Sequence, residues 1–188
     1  MTLERIRTGD VGALEELLRD AWAPLVRHLT LVLGSPEAAQ DVAQEAFVRL
    51  WERRERWSAG SARALVFRIG RNAALDLGRR QAVRNRWARE GRPDPSPFAA
   101  GPDEELEAAE LRRRVEAALG RMAPRRREVF ELVRFAGLSY GEVGDAMELA
   151  PQTVANHMSL ALRDLRAELS DLMGVDPGEV SGGRTNDG

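Results

Sequence analysis

LSYGEVGDAMELAPQTVANHM, residues 138–158, is the stretch on which the reading of this chain turns. Ser139 and Glu142 stand in the reciprocal positions of a capping box, in which each side chain satisfies a free backbone donor at a helix start. The pattern predicts a short helix from Ser139 to Met147. Pro151 suits the first turn of a second helix, which is expected to run to about Leu172. Two helices joined across so short a turn have the spacing of a helix-turn-helix, the unit that sets one helix in the major groove of DNA. Val143, Met147, Leu149, Val154 and Met158 are expected to form the core between them, with Gly144 leaving room where they cross. Gln152, Thr153, Asn156, His157 and Ser159 then point outward, where polar side chains can exchange hydrogen bonds with base edges. Arg163 and Arg166 are better placed for phosphates. Glu148 sits at the turn, where a left-handed backbone suits glycine and strains a branched carbon.

Upstream of this unit, Pro124 can open a helix to Phe135, and a helical pattern runs from Glu104 to Leu119. Before that, GRPDPSPFAAGPD, residues 91–103, holds four prolines and two glycines and reads as a flexible linker. Apolar residues return at helical spacing in the N-terminal part. Val11, Leu14, Leu17, Leu18, Trp22, Leu25, Val26 and Leu29 make one face between Gly9 and Leu33, with a break or kink expected at Pro24. Gly34-Ser35-Pro36 can end that helix, cap the next and fill its first turn. The next helix is expected to reach about Arg56, with Val42, Ala43, Ala46, Phe47, Leu50 and Trp51 inward. A loop over residues 57–61 precedes a third helix, from Ala62 to about Arg89, apolar at Leu65, Val66, Ile69, Ala73 and Leu77 and lined with arginine elsewhere. No strand-like alternation is visible. The fold class is therefore all-α: two small helical domains joined by a flexible linker, over residues 1–90 and 104–172, the second a helix-turn-helix. Residues 173–188 lack apolar periodicity and read as a disordered tail.

Of the 188 residues 43% are hydrophobic, enough for ordinary packed cores. The longest apolar runs, such as 29–33, fall far short of the roughly 20 residues that span a bilayer, and acidic Glu4 and Asp10 do not fit a signal peptide. A cytoplasmic protein without membrane insertion is expected. No cysteine is present, which excludes disulfides, thiolate metal sites and cysteine nucleophiles, and His28 and His157 lack the spacing of a zinc helix. No metal or other cofactor is expected. No phosphate loop or nucleophile–base set can be named, so no catalytic residue is expected. The net charge of −2 hides an uneven distribution: residues 1–48 hold four Arg against eight acids, and residues 49–90 hold twelve Arg against four. Nucleic acid senses that local field, and the arginine-rich stretch is the natural phosphate-contacting face.

These segments, in this order, resemble the extracytoplasmic-function (ECF) group of bacterial RNA polymerase sigma factors. GDVGALEELLRDAWAPLVRHL, SPEAAQDVAQEAFVRLWERRERW and RALVFRIGRNAALDLGRR are similar to the family's second conserved region, and residues 119–166 to its fourth. The resemblance implies a subunit that binds core RNA polymerase and directs promoter-specific initiation. It assigns Asp41, Gln44, Glu45, Arg49 and Trp51 to docking on the polymerase, with Phe47 and Leu50 left as core. It assigns the downstream promoter element, opened and held as single strand, to Ser61, Arg63, Arg68, Arg71, Asn72, Asp76, Arg79 and Arg80. The upstream element falls to Gln152, Thr153, Asn156, His157, Ser159 and Arg163. Promoter DNA, core polymerase and an anti-sigma factor are the implied partners. Ala62 and Leu65 stand where the family often has aromatic residues, and Ala155 and Leu160 where it has basic ones, so strand capture and upstream reading are expected to differ in detail. The helix-turn-helix unit also resembles the output domain of response regulators, which leaves a stand-alone transcription regulator as the alternative. A protein that keeps partner docking but has lost promoter reading is a further one.

Overall fold

The computed structural model describes residues 3–57, 60–85 and 106–173, and no β-strand occurs among them. The predicted linker, the end of the third helix beyond residue 85 and the tail beyond Met173 lie outside the described residues. Eight α-helices follow in chain order: α1 (Leu3–Arg7), α2 (Val11–Leu33), α3 (Pro36–Glu52), α4 (Ala62–Asn85), α5 (Leu106–Arg121), α6 (Pro124–Arg134), α7 (Tyr140–Met147) and α8 (Pro151–Met173), with a 3-10 turn at Arg54–Arg56.

Local chemistry sets most of these boundaries. Asp10 caps α2 by accepting from the Ala13 N–H at 3.1 Å. Gly34 closes it in the left-handed conformation at φ 69°, and Ser35 starts α3 by accepting from the Ala38 N–H with Pro36 in the first turn. Helix α2 runs through Pro24 without a break, so of the expected break or kink the break does not occur. Proline removes one bond of the ladder, but Leu17, Ala21, Leu25 and Leu29 are fully buried on either side of it and hold the helix on its neighbours. Helix α3 stops at Glu52, short of the predicted Arg56, and the chain tightens into the 3-10 turn. There the Trp57 indole N–H donates to the Leu50 carbonyl at 3.2 Å, giving an end-of-helix acceptor a partner the helix cannot supply. Helix α1 was not foreseen. Five residues are too few for a periodicity, yet Leu3 and Ile6 are buried.

The N-terminal helices pack around Leu17, Leu25 and Leu29 of α2, Ala43, Ala46 and Leu50 of α3, and Val66 and Phe67 of α4. Each fully buried Leu or Phe contributes about 1.5–3 kcal/mol relative to exposure. Gly70 allows this approach: a Cβ there would lie 3.3 Å from Leu25 Cδ1 and 3.6 Å from Ala46 Cβ. The C-terminal helices enclose Leu119, Val129, Leu132, Val143, Val154 and Ala161, and α8 packs on α5, α6 and α7. The two halves do not stand apart. Helix α7 lies against α4, and the buried residues of both halves form one continuous cluster. Ala64 and Phe67, off the apolar stripe read from the sequence, are buried as well, so α4 is covered on more than one side.

Candidate nucleic-acid interface

The helix-turn-helix is built as its sequence implies. Ser139 accepts from the Glu142 N–H at 3.3 Å, and Glu142 accepts from the Ser139 N–H at 2.9 Å, completing the capping box. Val143, Met147, Val154 and Met158 are buried between the helices, and Leu149 is half-buried against them. Glu148 closes α7 at φ 56°, ψ 50°, the one non-glycine residue with positive φ among those described. Gly144 leaves the expected room, most of it for the turn between the two helices. A Cβ there would lie 2.7 Å from the Leu149 carbonyl oxygen of the turn and 3.9 Å from the backbone nitrogen of Pro151, the first residue of α8.

Gln152, Asn156, Ser159 and Arg163 are exposed at intervals of three and four residues, so they form one row along the outer face of α8. The Gln152 amide donates to Asn156 Oδ1 at 3.1 Å, which pre-orders two neighbouring polar heads. Thr153 and His157 lie half-buried beside this row, and His157 Nδ1 is buried without a hydrogen-bond partner. Ala155 and Leu160 are also half-buried.

A second exposed row runs along α3: Asp41, Gln44, Glu45 and Val48 at the same helical spacing, with Arg49 beside it and paired to Glu45. Phe47 and Leu50 point into the core. Trp51 is half-buried, and the Arg54 guanidinium lies over its ring at 4.7 Å, so the indole is held in place by a cation–π contact. Val48 was not singled out in the sequence. Its signal was available, since it falls on the polar face of an otherwise regular amphipathic helix. Leu18, Arg19, Trp22 and Ala23 line a shallow apolar depression on α2, where Trp22 meets Phe47 with ring centroids 6.1 Å apart.

The arginine-rich face of α4 is divided. Asn72, Asp76, Arg79 and Arg80 are exposed, with Arg79 paired to Asp76 at 3.2 Å. Ser61, Arg63, Arg68 and Arg71 are half-buried. Arg71 makes a two-pronged contact with Glu128 of α6, Nε to Oε1 at 2.7 Å and Nη2 to Oε2 at 3.0 Å. Arg63 donates to the Ala136 carbonyl just past α6 and lies 3.5 Å from Asp20. Ser61 caps α4 through the Ala64 N–H and donates its own hydroxyl proton to Glu142 Oε1 at 2.6 Å. Burial tends to raise the pKa of the Glu142 carboxyl, but hydrogen bonds from Ser61 and Ser139, with Arg63 near, outweigh it and hold the group below the ordinary glutamate value. Arg68 lines a cleft of about 320 Å³ with Arg56, Trp57, Ser61 and Leu65, closed on one side by Asp145 of α7. Beneath the Arg71–Glu128 pair, His28 is buried with neither ring nitrogen hydrogen-bonded, its Nε2 3.8 Å from Glu128. Burial lowers its pKa to about 4; the Glu128 carboxylate opposes that shift and Arg71 adds to it. The contacts of Glu128 with Arg71 and His28, and of Glu142 with Ser61, had no legible signal in the sequence, because the partners lie tens of residues apart. Among the described residues no three His, Cys, Asp or Glu side chains come together to hold a metal, and no helix is long and apolar enough to cross a membrane.

Two family profiles match the chain: "Sigma-70 region 2" over residues 18–84 and "Sigma-70, region 4" over residues 112–165. The ECF RNA polymerase sigma factor SigL of Mycobacterium tuberculosis is 31% identical over 166 residues, covering 86% of this chain and 92% of the relative. The ECF RNA polymerase sigma factor SigE of Mycolicibacterium smegmatis is 28% identical over 172 residues, covering 87% and 65%. Among solved structures, the fold resembles CnrH in complex with the cytosolic domain of CnrY, at 23% identity with a TM-score of 0.61, covering 90% of this chain and 95% of that one. It also resembles the sigma factor RpoE of Bartonella quintana in complex with the anti-sigma factor NepR, at 20% identity and a TM-score of 0.63, covering 83% and 95%.

Proposed function

Because this chain belongs to the ECF group of sigma-70 RNA polymerase sigma factors, we propose that it binds core polymerase through the exposed row on α3 and reads promoter DNA through α4 and α8. The observation that carries this reading is the pairing, in one chain, of an outward row of hydrogen-bonding side chains on a capped helix-turn-helix with a separate acidic row on α3.

Each surface suits its task physically. Gln152, Asn156 and Ser159 offer donors and acceptors to base edges, and Arg163 supplies phosphate attraction at the end of the same row. The arginines of α4, with Asn72, offer a basic track for a displaced strand. The cleft beside Trp57 has room for an unstacked base and a mainly polar lining from Arg56, Ser61, Arg68 and Asp145 to hold it, and such capture offsets part of the cost of opening the duplex. Asp41, with Glu45 paired to Arg49, presents negative charge on the N-terminal side of an exposed Val48, an arrangement that steers encounter with a basic partner and then buries an apolar anchor. The contribution of such a subunit is binding and positioning, and no catalytic step is part of this reading. An anti-sigma factor is the proposed negative partner, and the bacterial cytoplasm, where polymerase works, the proposed location.

The test is transcription in vitro with core polymerase, this chain and a pool of random promoter sequences. Selective start sites, recovered only when the chain is added, are the expected result. No stable complex with core polymerase and no start-site selection would overturn the reading and favour a stand-alone regulator.

A further inference from the structure

A second concavity, apart from the cleft beside Trp57, lies where the end of α2 and the middle of α4 face the corner between α5 and α6. It encloses about 550 Å³, within the range of roughly 300–1,000 Å³ usual for small-molecule sites. Leu31, Val32, Leu75, Met122 and Pro124 make its walls mainly apolar, and Val32 is left exposed. Gly120 of α5 helps to keep the space open. A Cβ there would meet no atom within 4 Å, so this glycine answers no steric demand of the helix, whose stability it lowers. The charges of the lining do not cancel. Arg71 is taken up by Glu128 and Arg127 by Glu131, which leaves two neutral pairs. Arg125, the second residue of α6, is exposed and makes no ion pair among the described residues. Its positive charge stands at the helix end that already favours an anion, and Ala123 supplies no side-chain cap there.

We propose that this groove binds a small amphiphilic carboxylate, of the chemical class of a medium-chain fatty acid, with its chain against Leu31, Val32, Leu75 and Met122 and its head at Arg125. An anion is selected because the one uncompensated charge of the lining is positive. A hydrocarbon tail is selected because the walls are mainly apolar and reward the burial of methylene groups. A protein segment fits poorly. One turn of α-helix, about 10 Å wide and 5.4 Å long, takes up roughly 400 Å³, so the groove holds little more than a single turn. Of the residues assigned to DNA only Arg71 lines the groove, and none of those assigned to polymerase does, so the inference stands apart from both assignments. Such a site gives the chain a direct small-molecule input beside its macromolecular partners.

Isothermal titration calorimetry of the full chain with decanoate is the test. Saturable binding at one site is expected, with an affinity that rises about two- to fourfold for each methylene from hexanoate through octanoate to decanoate. Decylammonium, of equal length and opposite charge, should bind about threefold more weakly or worse, and Arg125→Ala should weaken decanoate by about two- to fivefold, Arg125→Lys by less. Gly120→Leu places a side chain in the open space and should abolish binding while leaving Tm unchanged or raised. Methionine methyl resonances report the location. Met122 lines the groove, whereas Met147 and Met158 lie buried in the helix-turn-helix. The carbon-13 methyl signal of Met122, assigned by Met122→Leu, should therefore shift on adding decanoate while the other two stay in place. Equal affinity for decylammonium, undiminished binding by Gly120→Leu, or shifts at Met147 and Met158 as large as that at Met122 would each overturn the proposal. Absence of binding would overturn it as well and leave the groove to a protein partner.

Discussion

Replacing Glu148 with glycine should make the protein more stable. The side chain is exposed, so its loss removes no packing, while the backbone at φ 56°, ψ 50° lies where a Cβ crowds the following carbonyl. That conformation costs a non-glycine residue roughly 1–2 kcal/mol. Glycine returns about 0.4–1 kcal/mol of this through its greater freedom in the unfolded chain. The balance is a gain of about 0.5–1 kcal/mol, or a rise in Tm of about 1–4 °C for a chain of this size. Urea denaturation followed by circular dichroism reads it as a higher midpoint at unchanged slope. Gly144→Ala supplies the opposite sign. Its new Cβ would fall 2.7 Å from the Leu149 carbonyl oxygen, and because that atom is backbone, the turn itself must shift, at a cost of about 1–3 kcal/mol. If Glu148→Gly left the midpoint where it was or lowered it, the strain assigned to this turn would be wrong. A tolerated Gly144→Ala would show that the turn is looser than the packing implies.

His28 makes stability pH-dependent. Burial holds its pKa near 4 in the fold against an ordinary 6.5, with Glu128 opposing and Arg71 reinforcing the shift. The unfolded chain therefore takes up the proton first as pH falls. Stability is complete above pH 6.5, declines below it and levels off under about 4, with a loss of about 2 kcal/mol by pH 5. His28→Leu should flatten that decline in urea melts at pH 7 and 5, and an equal decline in both proteins would assign it elsewhere. Arg163→Ala is expected to weaken binding to a selected duplex promoter and to lower the slope of log K against log salt by about one, whereas Asn156→Ala should relax base preference at one position; competition binding at several salt concentrations distinguishes them. Asp41→Arg should weaken the complex with core polymerase by about tenfold, mostly in the association rate, as measured by surface plasmon resonance.

The elements whose signals are local were legible in the sequence. Gly34-Ser35-Pro36 and the Ser139/Glu142 capping box place two helix starts to the residue, because each is decided by side chains within three positions of the backbone they satisfy. The α8 row was legible for the same reason, since helical spacing alone separates Gln152, Asn156 and Ser159 from Val154 and Met158. Pro24 does not break α2, because the local rule is outweighed by the buried leucines on either side of it. The division of the α4 arginines was not legible. Arg71 and Glu128 are 57 positions apart, and nothing in the pattern of either helix states that they meet. Charge counting finds the basic face; only the tertiary arrangement shows which of its cations are already spoken for.

The C-terminal end of α6 is finished by borrowed donors. The Ala136 carbonyl takes its hydrogen bond from Arg63, and the Phe135 carbonyl lies 3.5 Å from the Arg27 guanidinium, both of them N-terminal residues. Separation of the halves would hand these carbonyls to water and loosen the last turn of the helix. Amide protons from about residue 134 to residue 138 should then exchange with deuterated solvent faster in Arg63→Ala than in the unmodified protein, so this short stretch carries a native isotopic record of how firmly the two halves hold each other.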